Sequence, residues 1–174
     1  MNREEKDQLL SDLMQTHGDE LVRLAFTYVK SEETAKDMVQ NTFIKCYQHL
    51  DSFRGESAYR TWLFRITINQ CKDYLKSWHH KKMVAAEKVK EISGIASAEK
   101  TAIRYEQQRE VNTALMALPA SYRIVLDLYY YRDFKVEEIA ELTGEKPNTV
   151  KTRLRRGREK LKVMLEEAER IERA

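Results

Sequence analysis

The 174-residue chain, long enough for one domain or two small ones, has only two prolines and five glycines, and its many Glu, Lys, Leu and Ala point to an all-α fold. Two cysteines (Cys46, Cys71), a charged N-terminus and no run of about 18 apolar residues argue against a disulfide framework, a secretion signal and a membrane span, so the expected location is cytoplasmic. The net charge of +3 hides an uneven distribution: residues 1–53 carry six Lys/Arg against ten Asp/Glu, residues 54–82 seven against two, and residues 146–162 eight against one. Two separate basic patches suit a protein that touches a polyanion twice.

In chain order, residues 2–15 and 18–30 read as two helices divided at Thr16-His17-Gly18. Leu21, Leu24, Ala25, Tyr28 and Val29 form the apolar stripe of the second. Ser31 has the chemistry of an N-cap, and Glu32 and Glu33 favour the positive end of the next helix. That helix places Ala35, Met38, Val39, Phe43, Cys46 and Leu50 on one face and Asp37, Gln40, Asn41, Ile44 and Lys45 off it. An isolated exposed isoleucine is ordinary, so these residues alone do not establish an interaction surface.

Asp51 to Ser57 is rich in turn formers. The following run, Ala58 to Ile66, alternates aromatics with arginines and continues as a helix to the basic end His79-His80-Lys81-Lys82. Its aromatics allow two readings. Trp62, Leu63, Ile66 and Tyr74 fit a core stripe, while a basic helix with exposed rings and Asn69 also fits a single-stranded nucleic-acid site, where cations follow phosphates and rings stack on bases. Residues 83–108 change to small residues, Ser and balanced charge, which reads as a flexible linker through about residue 97 and then a helix before Arg109.

Val111, Leu115 and Leu118 extend that helix to Pro119, and Tyr122, Val125, Leu126 and Tyr129 give a further stripe, with Tyr129-Tyr130-Tyr131 read as packing. Val136, Ile139, Ala140 and Leu142 mark a short helix closed by Gly144, and Pro147 opens a long one. The long helix buries Val150, Leu154 and Leu161, carries Lys151, Arg153, Arg155, Arg156, Arg158, Lys160 and Lys162 on its other faces, and frays into solvent past Leu165. Two helices joined by a Gly-containing turn, the second basic and opening on Asn148, Thr149, Lys151 and Thr152, have the layout of a DNA-reading helix-turn-helix. No phosphate loop, dinucleotide fingerprint or nucleophile elbow is present, and His17, His49, His79 and His80 lack metal-ligand spacing with the cysteines, so neither an enzyme nor a cofactor is expected.

Three segments together carry a resemblance. Asp37-Met38-Val39-Gln40-Asn41-Thr42-Phe43, Phe53-Arg54-Gly55-Glu56-Ser57-Ala58-Tyr59-Arg60-Thr61-Trp62-Leu63, and Lys146-Pro147-Asn148-Thr149-Val150-Lys151-Thr152-Arg153-Leu154 resemble, in this order, motifs of bacterial sigma factors of the extracytoplasmic-function group. The resemblance implies a region 2 helical bundle over 1–82, a linker over 83–105 and a region 4 helix-turn-helix over 106–174. It also implies that Asp37, Gln40, Asn41 and Ile44 contact the beta-prime clamp helices of core RNA polymerase, whose beta flap is a further expected partner. Phe53, Arg54, Ser57, Tyr59, Arg60, Trp62, Arg65, Asn69, Lys72 and Lys76 would hold the minus-ten promoter element as single-stranded DNA. Asn148, Thr149, Lys151, Thr152, Arg155, Arg156 and Arg158 would read the minus-thirty-five element as duplex. An anti-sigma factor is implied as a controlling partner. Asn41 stands where the family commonly has an acid, and Asn148 where glycine is frequent. The alternatives are a stand-alone dimeric operator binder, which leaves the aromatic-basic run and the Asp37–Phe43 segment unexplained, and a helical adaptor whose basic faces are only solubilising.

Overall fold

A computed structural model describes the backbone of residues 2–55, 57–88 and 106–172, with side chains for all of these except 80–88, 106–109 and 171–172. Every regular element among the described residues is helical. Seven α-helices follow one another: α1 (Arg3–Val29), α2 (Glu32–His49), α3 (Tyr59–Lys88), α4 (Glu106–Ala117), α5 (Ala120–Leu126), α6 (Val136–Thr143) and α7 (Pro147–Glu172).

The first three helices pack against one another as a bundle. Asn2 caps α1 reciprocally with Glu5, each side chain taking the other's backbone N–H. The expected break at Thr16-His17-Gly18 does not occur, and α1 runs through it unbroken. One interior glycine costs about 1 kcal/mol of helix propensity, which the burial of Leu13 before it and Leu21 and Leu24 after it outweighs. Ser31 caps α2 by accepting the Thr34 amide, as its sequence position suggests. Ala35, Met38, Val39, Phe43, Cys46 and Leu50 are all buried, and Asp37, Gln40, Asn41, Ile44 and Lys45 all face outward. Both cysteines are free and buried, and burial pushes their thiols up to about 11 for Cys46 and about 12 for Cys71.

The third helix passes residue 82, where the first unit was expected to end, and continues to Lys88. Residues 89–105, within the expected linker, lie outside the described residues. The second unit is built on α7, against which α4, α5 and α6 all pack. Gly157 lies where α5 crosses closely: a Cβ there would meet Leu126 Cδ1 at 3.0 Å and Tyr122 Cβ at 3.3 Å, tighter than ordinary contact. After Leu126 the chain widens into a π-helical turn, Asp127–Tyr131. The wider turn changes the rotation per residue, so Leu128 points inward while Tyr129, Tyr130 and Tyr131 are 39, 50 and 50% exposed. The expected burial of Tyr129 and the packing role of this tyrosine run are therefore corrected. Past Leu165, the last turns of α7 run into solvent as expected, but stay helical to Glu172.

The two units also touch. Phe134, between the π turn and α6, is 3% exposed and packs, tilted by 58° and with ring centroids 5.0 Å apart, against the fully buried ring of Phe64 in α3. Arg123 of α5 donates to the carbonyls of Thr27 in α1 and of Met116 and Leu118 in its own unit. Burial lowers its pKa, but a guanidinium stays charged. Beside it, Asp127 and Arg132 form a buried pair at 3.2 Å; burial raises the Asp127 carboxyl against the opposing pull of Arg132.

Candidate nucleic-acid interface

The first candidate surface begins where α2 ends in a 3-10 turn, Leu50–Ser52. Buried Leu50 anchors the turn, and Gly55 takes a left-handed conformation (φ 71°) that lets the loop reverse. This brings Phe53 onto Tyr59 and Trp62 of α3, with ring centroids 4.6 and 4.7 Å apart. The three rings are half-buried, and Phe53 and Trp62 line a cleft of about 930 Å³ together with Arg54, Ser57, Thr61 and Arg65. Neither of the two sequence readings of the aromatics is complete. Leu63 and Phe64 are core, while Phe53 and Trp62 are half-buried and line the cleft.

Further along α3, Arg65, Asn69 and Lys76 are exposed and Lys72 is half-buried. Thr61 belongs to the same row, at spacings of four, four, three and four, and was missed although that periodicity was visible in the chain. The placement of Arg60 is not that of a free cation. Its guanidinium donates to the Glu20 carboxylate and to the Arg132 carbonyl, and lies 4.9 and 4.7 Å from the rings of Phe64 and Phe134. Burial alone would raise Glu20, but the hydrogen bonds and charge of Arg60, with Arg132 and His17 behind it, hold its carboxyl below the usual range. The Lys72 ammonium donates to the Thr143 carbonyl, and Arg65 lies 3.7 Å from Glu141.

The second surface is the α6–α7 pair. The Glu138 carboxylate takes the Lys135 amide at 2.7 Å to start α6, and the amide of left-handed Gly144 (φ 70°) closes it on the Ala140 carbonyl. Pro147 then opens α7, with the Lys146 carbonyl accepting from Thr149 and Val150. Val150 and Leu154 lock one side of α7 into the core. Asn148, Lys151, Thr152, Arg155, Arg156 and Arg158 lie on the exposed side, and Thr149 is half-buried beside them. Asn148, Thr149, Thr152 and Arg156 border a shallow groove of about 350 Å³ that α5 completes with Ser121 and Tyr122. Arg155 bonds Glu159 on its own helix at 3.0 Å, and Arg158 donates to the Tyr130 hydroxyl at 3.0 Å. Both pairs are exposed, so a phosphate could displace either at small cost.

The third surface is the outer face of α2. Asp37, Gln40, Asn41 and Ile44 form a continuous strip one helical face wide, with Ile44 50% exposed. Among the described residues no cluster of His, Cys, Asp and Glu is placed to hold a metal, and no helix is long and apolar enough to cross a membrane.

Comparison with known proteins matches this arrangement unit by unit. Residues 13–80 match the model of Sigma-70 region 2, and residues 108–161 that of Sigma-70, region 4. RNA polymerase sigma factor SigV of Bacillus subtilis is 31% identical over 90% of this chain and 91% of its own length. The ECF RNA polymerase sigma-E factor of Escherichia coli K12 is 31% identical over 84% of this chain and 81% of its own length. Among solved structures, the sigma factor RpoE of Bartonella quintana, in complex with the anti-sigma factor NepR, shares the fold with a TM-score of 0.70 at 24% identity, covering 90% of this chain and 96% of that one. CnrH, in complex with the cytosolic domain of CnrY, has a TM-score of 0.63 at 24% identity over 92% of this chain and 89% of that one. The chain belongs to the sigma-70 family of bacterial RNA polymerase sigma factors, in its extracytoplasmic-function group.

Proposed function

We propose that this sigma factor docks on core RNA polymerase through the outer face of α2, reads the minus-thirty-five element as duplex with α7, and holds the minus-ten element as a single strand on α3. The observation that carries the reading is the exposed row Asn148, Lys151, Thr152, Arg155 and Arg156, aimed outward from a helix-turn-helix whose opposite side is fixed by Val150 and Leu154. Short polar groups at a helix N-terminus and arginines one and two turns on are the chemistry that meets base edges and phosphates in the major groove. On α3, half-buried rings beside Arg54, Arg65 and Asn69 suit unpaired bases and their backbone. By analogy with the family, Phe53 and Asn69 line the site of a flipped base. Membership of the group also supports an anti-sigma factor as the controlling partner.

Magnitudes limit what the chain does alone. Opening four or five base-pair steps costs roughly 6–7 kcal/mol at about 1.4 kcal/mol per step. Stacking returns about 1–3 kcal/mol per base. A cleft for one or two bases does not reliably melt a promoter, so polymerase must contribute binding energy, and the isolated chain opens DNA poorly. The test uses holoenzyme reconstituted with Asn69→Ala. Duplex binding should persist while permanganate reactivity of the opened strand falls. Normal reactivity in that variant would remove Asn69 from the site.

A further inference from the structure

We infer that Tyr130, in the π-helical turn after α5, belongs to the duplex-binding surface: its hydroxyl positions Arg158 of α7, and the two side chains together grip one DNA phosphate at the flank of the minus-thirty-five site. The inference rests on the reading of α7 given above.

The turn Asp127–Tyr131 sends three neighbouring tyrosines outward, and Tyr130 is 50% exposed. An unbroken α-helical period would have kept Tyr129 on the buried stripe, so the wider turn gives up apolar burial to present these rings. The turn is firmly held. Leu128 is fully buried beneath it, the Asp127–Arg132 pair spans it at 3.2 Å, and the Phe134 amide closes it on the Leu128 carbonyl at 3.1 Å. Tyr129 and Tyr130 meet edge to face with ring centroids 5.0 Å apart. The Tyr130 hydroxyl therefore has a defined place, and that place is beside α7.

Arg158 donates to this hydroxyl through Nη1 at 3.0 Å. Its partner differs in kind from those of two other arginines on the helix, since Arg153 bonds the Glu145 carboxylate and Arg155 that of Glu159. A carboxylate neutralises a guanidinium and must leave before a phosphate takes its place. A phenol does neither. It accepts one N–H and leaves the full positive charge, the remaining N–H groups and its own O–H proton for an incoming acceptor. The two free oxygens of a DNA phosphate match that set, one taking an N–H and the other the O–H. A phosphate could displace the phenol, but joining it breaks no bond and adds one. The arginine also arrives with its rotamers already restricted, so less freedom is lost on binding.

The place on the helix agrees. Lys151, Arg155, Arg158 and Lys162 follow at spacings of four, three and four, which is one stripe of α7. Arg158 lies roughly 15 Å along the axis from Asn148 at 1.5 Å per residue, beyond the residues proposed to meet base edges. There a recognition helix passes from the groove towards the backbone. A phosphate carries no base identity, so the pair adds affinity and register without choosing sequence.

The experiment uses reconstituted holoenzyme and fluorescein-labelled duplexes spanning the minus-thirty-five element of a mapped start site. In each duplex one phosphate is replaced by an uncharged methylphosphonate, and affinity is read by anisotropy. On the unmodified duplex, Tyr130→Phe and Arg158→Ala should each bind about tenfold more weakly than wild type, the low end for a hydrogen bond to a charged group. The double variant should bind no more weakly than Arg158→Ala. At one modified phosphate, wild type should lose affinity while Tyr130→Phe loses none beyond its own defect, so that the two bind alike. Tyr130→Phe keeps the ring and Arg158 is exposed, so neither change removes core packing. Wild-type affinity in Tyr130→Phe, additive losses in the double variant, or a Tyr130→Phe defect that is the same on every modified duplex would each overturn the inference. Failure of the α7 reading is seen separately in Arg156→Ala, which should lose preference for the minus-thirty-five sequence yet keep full sensitivity at that phosphate. If Arg156→Ala keeps its preference, that reading fails, and the comparison of Tyr130→Phe with wild type still decides whether the tyrosine and Arg158 share a phosphate.

Discussion

The cations of α3 and those of α7 look alike in the chain and are treated differently by the fold. On α7, Lys151, Arg155, Arg156 and Arg158 are exposed, and the partners of Arg155 and Arg158 are themselves exposed side chains of the same unit. On α3, Arg60, Arg65 and Lys72 are engaged by the other unit, and Arg60 is held between two rings and a carboxylate. A basic run therefore shows where a polyanion could bind, while the packing around each charge decides whether it is free to do so.

The largest expected effect sharpens that contrast. Arg156→Ala should weaken minus-thirty-five duplex binding by about 1–3 kcal/mol if the contact is to a base. Loss confined to minus-thirty-five sequences would identify a base contact, and equal loss on every duplex a phosphate contact, by filter binding or anisotropy. Arg60→Ala should leave duplex binding unchanged and lower thermal stability instead, since its partners are Glu20, Phe64 and Phe134. A loss of duplex affinity as large as that of Arg156→Ala would break the distinction.

The glycines inside helices give a second contrast between the units. At Gly157, where an added Cβ would sit 3.0 Å from Leu126 Cδ1, alanine should overpack the α5–α7 crossing and cost about 1–3 kcal/mol in urea denaturation. At Gly18, where nothing lies within 4 Å of the added atom, alanine should stabilise by about 0.4–1 kcal/mol. Equal effects at both positions would mean that helix propensity, and not close approach, governs Gly157.

The smallest effect concerns acid. Glu20 is held below its ordinary value of 4.5 because the pull of Arg60 outweighs burial. A carboxyl lowered on folding contributes stability that is complete above its unfolded pKa and is lost as pH falls through the folded one. Below about pH 4.5, wild type should therefore lose stability more steeply than Glu20→Gln, seen as converging urea midpoints. Parallel curves would show that the Glu20–Arg60 pair contributes nothing measurable.

Much of the fold was legible in the chain, because its signals are local. The stripe Ala35 to Leu50, the Ser31 cap, the Gly144 turn and the Pro147 start depend on neighbours a few residues away, and each appears where periodicity and capping chemistry put it. The continuity of α1 through Gly18 was hidden because propensity at one residue is outweighed by burial on either side. The outward turn of Tyr129 was hidden because a π turn breaks the 3.6-residue period on which the reading relied. At the candidate site, the exposed face of α7 followed from spacing alone. The engagement of Arg60 with Glu20 and Arg132, 40 and 72 residues away in the chain, left no trace in any local pattern.

The central claim is that this chain chooses where polymerase starts. The direct measurement is sequencing of RNA 5′ ends made by core polymerase on genomic DNA with and without the purified protein. The account predicts a new set of start sites, each preceded by a shared pair of upstream elements, that weakens with Arg156→Ala and with Asn69→Ala. An unchanged pattern of starts, with polymerase bound or unbound, would contradict it.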